Sequence, residues 1–146
     1  ARRECLLGSL EAGIAFTNSS VALVHGMARP LGAKFGIPHG VSNAVLLEAI
    51  MRFSLPGAPE RYARLAEAMG AVPAGTPLET ARAGLGIVSR LVRELHIPRL
   101  RDLLSRDALD AQLDAMVREA VASGSPANNP RPASPEEIAS LYGEAF

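Results

Sequence analysis

Apolar residues recur along this chain at spacings of three and four, and nowhere do they alternate with polar ones over the length of a strand. Residues 1 to 15 carry Cys5, Leu6, Leu10, Ile14 and Ala15 at that spacing, with Ala12 alongside, which predicts a helix with an inward stripe. Thr17-Asn18-Ser19-Ser20 follows and offers N-cap candidates for a second helix. Val21, Leu23, Val24 and Met27 make that helix largely buried, with Pro30 near its end. The Gly- and Pro-rich stretch from 30 to 40 reads as a loop. Residues 41 to 53 predict an apolar helix through Val45, Leu46, Leu47, Ile50, Met51 and Phe53.

Leu55-Pro56-Gly57-Ala58-Pro59 is a break. A short helix then runs from about Glu60 to Met69, with Tyr62, Leu65, Ala66 and Met69 on one face and Gly70 as its C′ residue. Thr76-Pro77-Leu78-Glu79 has the cap, proline and glutamate of a helix start, and this helix runs to about Leu95. His96-Ile97-Pro98 ends it. Arg106-Asp107 opens another, with Leu109, Leu113, Met116, Val117 and Ala120 as its stripe. After the polar loop from Gly124 to Pro132, Ser134-Pro135-Glu136-Glu137 repeats the capping logic for a terminal helix that turns Ile138, Leu141 and Tyr142 inward. The fold class is therefore all-α: one domain, a bundle of six or seven helices.

Composition narrows the function classes. The 146 residues are 48% hydrophobic, enough for a substantial core. Fifteen basic residues balance fifteen acidic ones, and the basic ones are scattered, so neither nucleic acid nor an anionic membrane is an expected partner. Cys5 is the only cysteine, which excludes an intramolecular disulfide or a thiolate zinc cluster and suits a cytoplasmic setting. It lies on the first apolar stripe and reads as core. No apolar run is long enough for a membrane span, and Ala1-Arg2-Arg3-Glu4 does not open a signal peptide. Those first residues already look like the middle of a helix, so the chain reads as a piece of something longer. No nucleophile elbow, dinucleotide fingerprint or Walker sequence is present.

What remains is the segment His25-Gly26-Met27-Ala28-Arg29-Pro30-Leu31-Gly32-Ala33-Lys34-Phe35-Gly36-Ile37-Pro38-His39. Two of the three histidines stand at its ends, and glycine and proline between them let the backbone bend. A helix that ends and restarts there can aim both imidazoles at one point, and neutral imidazole suits a borderline divalent metal. Two histidines alone hold a catalytic metal poorly, and further ligands must come from elsewhere. Of the nearby carboxylates, Glu48 is expected to point away. The other reading makes both histidines polar residues at loop ends, bonded to backbone. His96, at a helix end, reads as structural. Phe16 is either core or the lining of a pocket.

Ala12-Gly13-Ile14-Ala15-Phe16-Thr17-Asn18, Leu23-Val24-His25-Gly26-Met27-Ala28, Pro30-Leu31-Gly32 and Ile37-Pro38-His39-Gly40-Val41-Ser42-Asn43-Ala44 together resemble the iron-containing (group III) alcohol dehydrogenase family, above all its lactaldehyde/propanediol oxidoreductase branch. Softer matches run through Tyr62-Ala63, Met69-Gly70, Ile97-Pro98, Asn129-Pro130-Arg131 and Ile138, Leu141 and Tyr142. The resemblance implies the all-helical C-terminal metal-binding part of a dehydroquinate synthase-like two-domain enzyme. The N-terminal nucleotide-binding α/β domain, together with an Asp and a first His of the metal site, then lies upstream of this chain. His25 and His39 become the last two His ligands of Fe(II), or alternatively Zn(II). Phe16 matches an aromatic position bordering the substrate pocket. Arg29 stands where many relatives have a further histidine, and a guanidinium cannot act as a neutral base. It could instead hold a carboxylate or a cofactor phosphate. The implied activity is hydride transfer between a small alcohol, or its aldehyde or ketone, and NAD(P), in a homo-oligomer. The isolated chain is expected to be inactive. The competing expectation is a non-enzymatic helical module that associates with itself or a partner.

Overall fold

A computed structural model describes residues 1–146 as eight α-helices and two 3-10 turns, with no strand. The helices are α1 (Arg2–Ser19), α2 (Leu23–Phe35), α3 (His39–Ser54), α4 (Pro59–Ala68), α5 (Pro77–Glu94), α6 (Leu100–Leu103), α7 (Arg106–Ala122) and α8 (Pro135–Ala145). The all-α class stands, and the expected six or seven helices become eight. The excess is α6, a single turn that apolar periodicity is too coarse to register.

Local chemistry explains the helix ends that the sequence marked. Thr76 and Ser134 each form a reciprocal capping box, with Glu79 and Glu137, and a proline follows each cap. Ser105 caps α7 by accepting from Ala108 N–H at 3.2 Å. Gly70 follows α4 at φ +93°, as a C′ glycine should. His96 does the same work after α5 at φ +52°. Its N–H reaches the Arg93 carbonyl and the Ile97 N–H reaches that of Val92, which completes a Schellman motif. His96 is therefore structural, as expected.

Helix α2 is the hub. Leu23, Gly26, Met27, Ala28, Pro30 and Leu31 are buried, and α3, α7 and the 3-10 turn Ser125–Asn128 pack around them. Helix α8 closes the bundle over α3 and α7, and Tyr142 donates its hydroxyl to the Met27 carbonyl at 2.6 Å. Gly26 lets the Ser125–Asn128 turn come close: a Cβ there would lie 3.1 Å from Pro126 Cδ. Lys34, at the other end of α2, pairs with Glu119 of α7 at 2.8 Å. The Asn129-Pro130-Arg131 segment clamps α3 to α8. Asn129 donates to Ser54 Oγ at 2.9 Å, while Arg131 pairs with Glu137 and stacks on the Phe53 ring at 3.9 Å.

Four expectations need correction. The stretch from 30 to 40 is not mainly loop, because α2 continues through Pro30 to Phe35. Interior proline costs about 3 kcal/mol of helix stability; here its ring is buried in the core, which offsets that loss. Thr17, Asn18 and Ser19 cap nothing ahead of them. Their side chains bond back to the Gly13, Ile14 and Ala15 carbonyls at 2.7, 2.7 and 2.8 Å, which extends α1 to Ser19. The stripe on α1 faces no core. None of its residues is buried, Cys5 is exposed, and Leu6 and Leu10 are 73% and 60% exposed. Helical spacing shows that a face exists, not that its partner lies in the same chain. On α4 the inward face is likewise shifted, with Ala63 and Ala66 buried and Leu65 exposed.

Removing the Tyr142 hydroxyl tests the hub. Tyr142→Phe is expected to cost about 1 kcal/mol, the usual net value of such a bond. The check is the denaturant midpoint at unchanged slope.

Candidate metal centre

The backbone brings the two histidines together by reversing over a glycine. Gly36 takes the left-handed conformation, φ +67°, and its N–H bonds to the Gly32 carbonyl at 3.0 Å. The chain then folds back over Gly32, where a Cβ would lie 3.3 Å from the Ile37 carbonyl oxygen. Ile37 is buried, Pro38 is extended with ψ 139°, and α3 opens directly on His39. Ser42 holds the turn by donating to the Ile37 carbonyl at 3.3 Å. The start of α3 is thus carried back toward the start of α2, where His25 sits. The imidazole centroids lie 5.3 Å apart with the rings tilted by 53°.

His25 is half-buried and His39 exposed. Burial, then the neighbouring His39, then the Arg29 guanidinium press the His25 imidazole below its ordinary value, which keeps it neutral. Asn43, one turn into α3, sits 3.1 Å from His39 Nε2 through its amide nitrogen and also donates to the His39 carbonyl at 2.8 Å. A donating amide nitrogen takes up the Nε2 lone pair, so a metal at Nε2 would have to displace Asn43 from it. Asn43 Oδ1 is buried without a partner. In the sequence Asn43 stands only within the Ile37-to-Ala44 motif. Its position four residues after His39, on the same helix face, was the signal that could have singled it out.

Other residues fall as follows. Arg29 projects from α2 one turn beyond His25, exposed, with Nη1 donating to Ser125 Oγ at 3.4 Å. Phe16 is not core: it is exposed on α1. Glu48 points away from the pair, as expected, and binds Arg52 at 2.8 Å. No cluster of three or more His, Cys, Asp or Glu side chains exists in the chain. The donor chemistry of His25 and His39 fits a borderline divalent ion, but as half of a ligand set, since a catalytic site takes three or four protein donors.

This geometry can be set beside known proteins. The profile described as "Fe-containing alcohol dehydrogenase family, C-terminal" matches residues 1–146. The chain belongs to that family. The chain is 38% identical over 148 residues to the 1,3-propanediol dehydrogenase of Klebsiella pneumoniae, covering 100% of this chain and 38% of that protein. It is 40% identical over 149 residues to the lactaldehyde reductase of Escherichia coli K12, again covering 100% of this chain and 38% of the other. The crystal structure of a 1,3-propanediol oxidoreductase superposes with a TM-score of 0.88 at 38% identity, over 94% of this chain and 36% of that one. An alcohol dehydrogenase from Oenococcus oeni gives 0.84 at 32% identity, over 92% and 35%. The chain thus spans well under half the length of the relatives it matches. No single helix is long and apolar enough to cross a membrane.

The low basicity of His25 has a measurable consequence. Its proton titration, followed by NMR, is expected to have a midpoint below the ordinary imidazole value of about 6.5, and Arg29→Gln is expected to raise that midpoint. Because the unfolded chain takes up this proton first on acidification, His25 contributes stability that is present above about pH 6.5 and lost below it. A midpoint at or above that value would contradict the account.

Proposed function

We propose that this chain is the helical, C-terminal metal-binding part of an NAD(P)-dependent alcohol dehydrogenase. Its nucleotide-binding α/β domain would lie outside these 146 residues, in the manner of a dehydroquinate synthase-like two-domain enzyme. The observation that carries the reading is the convergence of His25 and His39 to 5.3 Å in a chain that matches the family along its whole length. In this reading His25 and His39 hold Fe(II), or alternatively Zn(II), with the remaining donors supplied from outside the chain. A divalent ion held there supplies Lewis-acid polarisation of an alcohol or carbonyl oxygen.

The chain's own residues do the positioning. The buried face of α2 fixes His25, and the Gly36 reversal fixes His39. Asn43, one turn further along α3, contacts the His39 ring and restrains its orientation. Phe16 is assigned to the border of the substrate site. Small alcohols and the corresponding aldehydes or ketones are the substrate class, with a homo-oligomer as the working assembly. A cytoplasmic setting suits a chain whose one cysteine is free and exposed.

With half a donor set, the isolated chain binds metal weakly and turns nothing over. Zinc titration followed by NMR is expected to move the His25 and His39 ring signals together, saturating at one equivalent bound, with a dissociation constant of micromolar or weaker. Either His→Ala change should abolish the coupled shift. Ring signals that do not respond would sink the metal assignment. Tight stoichiometric binding, or turnover of 1,3-propanediol with NAD⁺ by these 146 residues, would sink the claim that the site is incomplete.

One observation favours a second reading, that of a self-associating helical module. Leu6, Leu10 and Ile14 on α1 are 73%, 60% and 57% exposed and share one face. Sedimentation of the isolated chain is expected to show concentration-dependent association that Leu6→Gln with Leu10→Gln removes. A monomer at high concentration would discard this reading.

A further inference from the structure

Arg29 sits where a cation has no electrostatic reason to be. It lies one helical turn beyond His25, whose imidazole stands 5.3 Å from that of His39. Side chains at this spacing are neighbours on a helix surface, about 5–6 Å apart at Cβ. A guanidinium there repels whatever positive charge the histidines hold. No carboxylate of the chain lies within ion-pairing distance of Arg29, as for most of its arginines; only Arg52, Arg106 and Arg131 are paired. Its one partner is a neutral hydroxyl, Ser125 Oγ, at 3.4 Å. That contact spans from α2 to the Ser125–Asn128 turn and holds the side chain over the same end of α2 as His25. Ser125 is itself buried, at 4% exposure, so the anchor is fixed. One long bond uses one of five N–H donors, and the remaining fork suits a planar oxyanion.

We infer that Arg29 is a specificity-determining residue that binds a carboxylate on the substrate, so that the site favours hydroxycarboxylates and their oxo counterparts over neutral alcohols. The inference rests on the metal-site reading above and deepens it. An oxyanion between Arg29 and the histidine pair turns a repulsive arrangement into an attractive one. Two sources of such an oxyanion share this chemistry, the substrate's carboxylate and the phosphates of the nicotinamide cofactor, and the test separates them.

The test titrates the zinc-loaded chain with 3-hydroxypropionate, 1,3-propanediol or inorganic pyrophosphate, following the Arg29 side-chain N–H and the His25 and His39 rings by NMR. The same titrations are run on Arg29→Gln and Arg29→Lys, exposed substitutions that leave the core untouched. Expected for 3-hydroxypropionate are a shift at the Arg29 N–H, about tenfold weaker binding in Arg29→Gln and partial recovery in Arg29→Lys. Binding of the diol should be indifferent to all three side chains. Arg29-dependent binding of pyrophosphate, without that of 3-hydroxypropionate, would overturn the assignment to substrate and move the residue to the cofactor. Equal binding of 3-hydroxypropionate by Arg29 and Arg29→Gln proteins would overturn it outright. The zinc-induced shifts of His25 and His39, present in every Arg29 variant, report on the metal reading separately. If those shifts are absent, that reading falls and takes this inference with it.

Discussion

Everything at the candidate site depends on the burial of α2 and on the contacts that fix its rotation. Tyr142 reaches the Met27 carbonyl, Gly26 admits the Pro126 ring, and the Pro30 ring is buried rather than expelled. A helix held on so wide an arc has only a narrow strip left to solvent. His25 and Arg29 lie on that strip. The Tyr142 hydroxyl is kept protonated by burial first and by the Glu119 carboxylate second, so it stays a donor under all ordinary conditions. Glu119 is in turn held by Lys34. Helix α8, helix α7 and the end of α2 thus fix one another, and the site inherits that rigidity.

The elements legible in the sequence were those determined by neighbouring residues. The boxes at Thr76 and Ser134 are closed within four residues, and the end of α5 at His96 is written in its own backbone. The apolar stripe of α7 also reads directly onto the core, at Leu109, Met116, Val117 and Ala120. Pro30 was misread because its tolerance comes from tertiary burial, which local rules do not see. The serine- and threonine-rich end of α1 was misread for a related reason, since those hydroxyls have two local uses and spacing does not choose between them. The face of α1 was legible as a face and wrong as core.

The histidine pair shows the same division. Glycine and proline between His25 and His39 announced a reversal, and the reversal is there, at Gly36 to Pro38, though shorter than the predicted loop. That both rings meet was an expectation from chain flexibility, and its realisation needed Gly32, which lets the returning chain pass close by. Asn43 was missed because an asparagine four residues after a histidine is unremarkable until the histidine has a task. Ser125 could not be found at all, since it lies in a different part of the chain from the arginine it holds.

Charge ties these pieces together. The Arg29 guanidinium already gives this surface a positive charge, and a divalent ion would raise it further. At a charge separation of about 6 Å, a dication and a guanidinium would repel by about 1.4 kcal/mol in a water-like dielectric. That is about a tenfold penalty on metal affinity from one side chain. An anion bound between them reverses the sign of the local interaction. Cation and anion must then each strengthen the binding of the other by the same factor, because such coupling is reciprocal. A neutral histidine at position 29 would carry no such coupling. In the proposed site the arginine would therefore make metal occupancy sensitive to the charge of the bound substrate.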